Sequence, residues 1–208
     1  IYYVNLVGKM SKYFSLNWKH KPELASAFSL QETKLAHELI PQLEGKALLP
    51  FEFELRKVKE GKDRLIVNSD LAGLGETWLD YQSNSLAWPL MSERLKSVIE
   101  QHLTGNEGID WIRAVVNANA EQRTYYIPRF EKKLDVLDRE HTKYVPGTDQ
   151  ILKPYFSLSK INKYAVFHDE LTFNLWKITP FLNVSEALKK AIQKEKLTGL
   201  DFEKTSVA

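Results

Sequence analysis

The stretch Ser92-Glu93-Arg94-Leu95-Lys96-Ser97-Val98-Ile99 recurs later in the chain as Ser185-Glu186-Ala187-Leu188-Lys189-Lys190-Ala191-Ile192, with five of the eight positions identical. Each copy continues to Leu-Thr-Gly, at 103–105 and 197–199, and then to an apolar segment. The serine can cap a helix, the glutamate suits the positive end of its dipole, and the glycine can end it. Each copy therefore predicts a strand, a capped helix and a second strand.

Strand patterns dominate the chain before the first copy. Aromatic or apolar residues alternate with polar ones in 13–18, and 2–7 is β-rich, so both are predicted strands. Residues 50–56 alternate strictly, which predicts a half-buried strand, and 65–67 is its predicted hairpin partner. Between 23 and 40 the apolar spacing predicts a helix.

Short β patterns continue after the first copy. Residues 111–137 predict an antiparallel meander, and 155–158, 164–167 and 175–178 predict further short strands. The predicted fold class is α+β: a mixed, largely antiparallel sheet with the two repeated strand-helix-strand units packed on it.

Length allows two domain arrangements. The 208 residues fit one large domain, 1–208, or two smaller ones. In the second arrangement, 1–85 is an N-terminal β-rich region and 86–208 is an α+β region that contains the internal repeat.

Composition excludes several classes of protein. Hydrophobic residues make up 43% of the chain and the formal net charge is +2, which is typical of a globular protein rather than a disordered one. The absence of cysteine excludes disulfides, thiolate metal sites and cysteine nucleophiles. Apolar runs are too short to cross a membrane, and the start does not resemble a signal peptide, so we expect a cytoplasmic protein.

Catalytic motifs are missing. The chain has no glycine-rich phosphate loop, no serine elbow and no histidine pair at metal-binding spacing, so no cofactor or metal is expected. His168-Asp169-Glu170 and Asp138-Arg139-Glu140-His141 combine imidazoles with carboxylates, as acid–base catalysis requires. Neighbours in a strand face opposite sides, which favours solvated strand ends. A small hydrolase using His168 or His141 is the alternative.

Basic segments give a second alternative, a nucleic-acid or peptide-binding adaptor. Residues 129–133 and 189–196 are the most basic stretches, but acidic neighbours dilute both. No nucleic-acid partner is expected.

Five segments carry a family resemblance: Trp88-Pro89-Leu90-Met91-Ser92-Glu93-Arg94-Leu95, 109–112, 125–127, 134–138 and the tail from Val184 to Phe202. They resemble a bacterial family of immunity proteins from polymorphic toxin systems, first described as a family of unknown function. The resemblance covers roughly 86–140 and 175–204. It implies a small cytoplasmic antidote that binds a cognate protein toxin and blocks it without chemistry of its own.

The candidate partner-binding residues are Trp78, Asp80 and Tyr81. They lie in 70–84, a loop-like stretch that contains Gly73 and Gly75 and lies just before the part that resembles the family. Interfaces use aromatic anchors with a polar rim, although most loop aromatics pack on their own core.

Overall fold

The computed structural model describes residues 12–31, 34–171 and 174–208. The strand predicted over 2–7 therefore lies outside the described residues. The described strands are β1 (Tyr13–Trp18), β2 (Glu23–Ser29), β3 (Phe53–Glu60), β4 (Leu65–Asn68), β5 (Tyr81–Gln82), β6 (Leu90–Met91), β7 (Ile109–Ala118), β8 (Glu121–Phe130), β9 (Lys143–Tyr144), β10 (Ile151–Lys153), β11 (Val166–His168), β12 (Leu182–Ser185) and β13 (Leu200–Lys204). The described helices are α1 (Ala36–Leu39), α2 (Glu93–Glu100), α3 (Leu158–Ile161) and α4 (Glu186–Lys194), and a 3-10 turn over Ile40–Leu43 follows α1.

Seven strands form the larger sheet. Its order is β2-β3-β7-β8-β6-β5, with β4 also paired to β3, and only the β3–β7 pairing is parallel among these strands. The Ala27 amide donates to the Ser83 carbonyl at 2.8 Å, and the Ser85 amide donates to the Ala27 carbonyl at 2.9 Å. These bonds join β2 to the chain after β5, so the sheet closes on itself.

The second sheet has the order β11-β12-β1-β13 and is antiparallel throughout. Its central strand β1 comes from the start of the chain, whereas its neighbours come from the end. The α+β prediction, with largely antiparallel sheets, is confirmed.

Two buried clusters lie on opposite faces of the larger sheet. Tyr125 and Ile127 of β8 belong to the cluster that the closed sheet surrounds, together with Phe53 and Trp88. Phe130, on the other face of β8, belongs to the cluster between the two sheets, as strand alternation requires. Leu95 of α2 and Leu188 of α4 are fully buried in that second cluster, so both repeated helices cover it.

The helix predicted over 23–40 is wrong for most of its length. Residues Glu23–Ser29 form β2, which pairs with β3 at every position, and Ala25 and Ala27 are 0% exposed. A period of two therefore holds in this segment, and pairing with a neighbouring strand decides its structure. Among the described residues of this segment, Ala36–Leu39 forms an α-helix and Ile40 begins the 3-10 turn.

Two predicted strands near the end of the chain are also wrong. Leu158 begins α3 instead of ending a strand, and residues 174–177 form turns. Phe156 forms isolated bridges with Leu137 and Val207, and the Lys177 carbonyl accepts from the Phe130 amide, but neither segment pairs over enough residues to form a strand.

The two copies of the repeat occupy equivalent places. The Ser92 hydroxyl accepts from the Leu95 amide at 3.2 Å, and the Ser185 hydroxyl accepts from the Leu188 amide at 3.3 Å. The sheet segments β5-β6-β8-β7 and β11-β12-β1-β13 have the same order and pairing sense. We call the first, with α2, the first unit and the other, with α4, the second unit.

Candidate partner-binding surface

The buried carboxylate of Asp80 connects the two units. Its Oδ1 accepts from the Ser92 hydroxyl at 2.6 Å, and its Oδ2 accepts from the Thr198 amide at 2.9 Å. The Arg94 guanidinium lies 3.4 Å from Oδ2 and is 62% exposed. Asp80 is 6% exposed, so its carboxylate fastens the start of α2 to the chain after α4 and presents little area to a partner.

Tyr81 is a core residue. It is 1% exposed, and its ring stacks on Trp18 with 5.6 Å between centroids. Burial raises the pKa of its phenol. Its hydroxyl has no hydrogen-bond partner among the described residues. The ring stabilises the cluster between the sheets.

Trp78 is the one of the three candidates that a partner can reach. It is half-buried and stacks on Tyr125, with 6.3 Å between centroids. The Arg123 guanidinium lies 4.6 Å from the centre of the indole. The Tyr125 hydroxyl donates to the Leu79 carbonyl at 2.8 Å, which fixes the chain beside Trp78. The indole is therefore held in one orientation at the surface.

His168 has the environment of a core histidine. It is 0% exposed, and its Nε2 accepts from the Leu134 amide at 3.2 Å. Its Nδ1 lies 2.8 Å from the Asp169 carbonyl and donates to it, since Nε2 is the acceptor. Burial lowers the pKa of this imidazole. Both ring nitrogens bind backbone groups, so neither is directed at a cleft as a general base.

The neighbouring carboxylates also bind the chain itself. Asp169 Oδ1 accepts from Asn183 Nδ2 at 2.8 Å, and burial raises the pKa of Asp169 to about 6. Glu170 accepts from the amides of Val136 and Leu137 at 3.2 and 3.3 Å. In the other motif, His141 is exposed and lies 3.1 Å from Asp138. The structure thus brings neither motif together around a vacant centre.

Residues of the basic segments pack against the protein. Arg129 forms an ion pair with Asp110 and also donates to the Leu43 carbonyl. Lys189 Nζ lies 3.6 Å from the centre of the Phe14 ring. In both cases the positive charge is paired with a group of the same chain, a carboxylate for Arg129 and an aromatic ring for Lys189.

Two clefts lie beside the repeated helices α2 and α4. A groove of 540 Å³ runs along α2 beside the end of α4, where the Arg94 guanidinium donates to the Glu195 carbonyl at 3.0 Å. A cleft of 430 Å³ lies between the start of α4 and the chain after α2, lined by Glu186 and Thr104, and His102 lines both. Their linings mix charges of both signs.

Two features were searched for in the described ranges, a cluster of metal ligands and a helix that could span a membrane. No group of three or more His, Asp and Glu side chains among those residues is arranged to hold a metal ion. None of the helices in residues 12–31, 34–171 and 174–208 combines the length and apolarity needed to cross a membrane.

Sequence reasoning missed one exposed apolar strand. All four residues of β4 are exposed, and Leu65, Ile66 and Val67 are 63%, 51% and 45% exposed. Prediction of the segment as a hairpin partner was correct, since β4 pairs with β3. Three consecutive apolar residues without alternation favour a strand that is covered on both faces, so the sequence carries no signal for the exposure of β4.

Comparison with protein families identifies the chain. A search of curated proteins found no match. The family model described as "Immunity protein family (Imm11)" matches residues 38–207. That match includes α2 to α4 and both copies of the repeat. The chain therefore belongs to the Imm11 family of immunity proteins.

Proposed function

We propose that this protein binds a cognate bacterial toxin in the cytoplasm and neutralises it without catalysis, as the immunity partner in a polymorphic toxin system. The observation that carries the proposal is the family match over 38–207. The environments of His168 and Asp169 support it, because their polar atoms bind the protein's own chain.

Trp78 is the proposed anchor of the interface. Binding energy concentrates in a few aromatic and arginine side chains that are already held in position. The Trp78 indole contacts both the Tyr125 ring and the Arg123 guanidinium, so little side-chain freedom is lost when a partner covers it. Asp80 and Tyr81 contribute by holding the chain that carries it.

Co-expression tests the function. The toxin to test would be a large secreted protein encoded beside this gene, whose expression alone should arrest growth. Co-expression of the immunity protein should restore growth, and the two should purify as a stoichiometric complex. Continued arrest, together with no complex at micromolar concentration, would contradict the proposal.

Substitution of the anchor tests the interface. Trp78→Ala is expected to weaken toxin binding by about tenfold or more, with a small change in Tm. Trp176→Ala is the matched control, since Trp176 is also half-buried and packs against the cluster between the sheets, as Trp78 packs against the cluster inside the closed sheet. Titration calorimetry and thermal unfolding separate the two effects. A large fall in Tm with unchanged affinity would show that Trp78 is only a packing residue.

A further inference from the structure

β4 is an edge strand. It pairs with the second half of β3, with Val67 opposite Val58 and Ile66 opposite Lys59. On its other side, no strand of the described residues pairs with it. An exposed apolar edge is a template for another strand, and natural proteins usually protect such edges.

The hydrogen-bonding direction along β4 follows from the turn. The Gly61 amide donates to the Arg64 carbonyl at 2.9 Å. Antiparallel strands alternate between hydrogen-bonded and non-hydrogen-bonded pairs. Ile66 therefore directs its amide and carbonyl toward β3, whereas Leu65 and Val67 direct theirs outward. The free edge offers two donors and two acceptors.

The two faces of this edge differ. Val67 lies beside Val58, which lies beside Leu24, so one face carries an apolar row across three strands. On the opposite face Ile66 lies beside Lys59. A strand added at the edge would therefore place alternate side chains on an apolar face and beside lysine.

Charge around the hairpin is positive. Residues 57–64 contain four basic and two acidic side chains. Glu60 lies 3.3 Å from His20. In the described part of the chain, Lys59, Lys62 and Arg64 form no salt bridge within 4.0 Å. A partner strand with acidic side chains complements this rim.

We infer that β4 is the docking edge for an extended segment of a protein partner in which acidic and apolar residues alternate. The segment adds as a strand beside β4, bonded to the backbone groups of Leu65 and Val67. That the segment belongs to the toxin rests on the proposed function.

A peptide probe tests the edge directly. The probe is a soluble peptide of about eight residues that alternates glutamate and valine, and its counterpart has lysine in place of glutamate. We expect the acidic peptide to slow exchange of the Leu65 and Val67 amides by about tenfold or more at saturation. The lysine peptide should leave exchange unchanged. Equal protection by both peptides, or by neither, would overturn the inference.

Two substitutions of Val67 distinguish the contribution of its backbone amide to peptide binding from that of its side chain. Val67→Pro removes one outward donor and leaves the inward bonds to β3, as proline at a strand edge permits. Val67→Thr keeps the amide and is the matched control. Proline should weaken acidic-peptide binding by about tenfold or more, and threonine by about threefold or less. Circular dichroism and exchange at Ile66 check that the hairpin persists. Equal binding by the proline variant would overturn the inference.

The two proposals fail in different ways. If the toxin is neutralised equally by the wild type and Val67→Pro, β4 is not its docking edge, but the immunity function stands. If the acidic peptide binds β4 and no toxin is neutralised, the function fails and the docking edge stands. Sedimentation that shows a dimer, converted to a monomer by Val67→Pro, would assign the edge to a second copy and overturn the inference.

Discussion

The two units have the same architecture but obtain it from different parts of the chain. In the first unit Lys96 Nζ lies 5.0 Å and 5.7 Å from the ring centres of Tyr126 and Trp111. In the second unit Lys189 Nζ lies 3.6 Å and 5.4 Å from those of Phe14 and Phe202. Phe14 of β1 therefore takes the place of Tyr126 of β8. In the sequence, β1 precedes the rest of the second unit by about 150 residues, whereas β8 directly follows β7 of the first unit.

The units differ in the carboxylate that closes them. The amide and hydroxyl of Thr198 bind Asp80, whereas those of Thr104 bind Glu107. The carbonyl of Asp80 accepts from the Ser92 amide, and Ala165 accepts from the Ser185 amide in the same way. Ala165 thus stands where the first unit has Asp80.

Glu107 supplies the carboxylate that Ala165 lacks. It belongs to a short insertion, Asn106-Glu107-Gly108, which only the first copy has. Its Oε1 accepts from the Ala165 amide at 2.8 Å, and the residue is 1% exposed. The end of each unit is therefore fastened to the start of the other, by a different side chain in each case.

Separating the chain at residue 85 should have the largest effect. Residues 86–208 alone lack β1, which lies between β12 and β13 at the centre of the second sheet. They also lack β2 and β3 of the larger sheet. We propose that the chain folds as one domain and expect no cooperative unfolding of the 86–208 fragment by circular dichroism.

The two-domain alternative gives the opposite result. It requires the 86–208 fragment to show dispersed amide resonances and a thermal transition of its own. Adding residues 1–85 in trans provides a control, since recovery of structure would show that the fragment lacks only the missing strands.

Substituting the two equivalent glycines, Gly199 and Gly105, by alanine should lower the free energy of unfolding by very different amounts. Gly199 has φ +82°, and a Cβ there would lie 2.4 Å from the Tyr81 carbonyl oxygen and 2.8 Å from Leu79 Cβ. Gly105 has φ +86° and nothing within 4 Å of that position. Gly199→Ala should lower the free energy of unfolding by about 3 kcal/mol or more, because backbone must move. Gly105→Ala should cost about 1 kcal/mol, for the left-handed conformation alone.

Denaturant titration of both variants measures this difference. Equal losses would mean that the second unit is not closed against Leu79 and Tyr81. The two glycines would then have the same role, which is to end a helix in the left-handed conformation.

Neutralising Asp80 should have the next largest effect. In Asp80→Asn, an NH2 group replaces one of the two carboxylate oxygens, and both oxygens accept hydrogen bonds, from the Ser92 hydroxyl and the Thr198 amide. One of these two donors therefore loses its acceptor. We expect a loss of about 2 kcal/mol in the free energy of unfolding. Arg94→Ala is the control and should cost below about 1 kcal/mol, because Arg94 is 62% exposed. Similar losses in urea titrations would show that the ion pair, rather than the hydrogen bonds, gives Asp80 its effect.

Local patterns predicted the elements whose causes are local. The serine caps and left-handed glycines of the repeat are visible in the sequence because each depends on residues within a few positions. In 23–29, by contrast, Ala25 and Ala27 are too small to give a clear alternation, while Leu24 and Phe28 imitate helical spacing. The partner strand β3 decided that segment.

The candidate site depends on contacts between distant residues. Asp80 and Thr198 are 118 positions apart, and Trp78, in the loop before β5, contacts Arg123 and Tyr125 of β8. A single sequence indicates that an aromatic loop exists, but the exposure of each side chain depends on what packs over it. Trp78 and Tyr81 therefore received the same prediction, although one is half-buried and the other is core.

The smallest effect is a pH dependence at Asp169, which lies four residues after Ala165, as Asn84 lies four residues after Asp80 in the first unit. Burial raises the pKa of Asp169 from 3.8 to about 6. Its contribution to stability is therefore complete below pH 3.8 and is lost as the pH rises through 6. Asp169→Asn gives this position the neutral side chain of the first unit. It should raise the free energy of unfolding by about 1–2 kcal/mol at pH 8.

The same substitution should change little at pH 4, where most of the Asp169 carboxyl is already protonated in the folded protein. His168 acts in the opposite direction, because its lowered pKa makes the fold lose stability as the pH falls below 6.5. The difference between variant and wild type at each pH removes the contribution of His168. Urea titrations at pH 4, 6 and 8 measure it. An equal gain at all three would assign the effect to packing, and the two units would then differ here in shape rather than in charge.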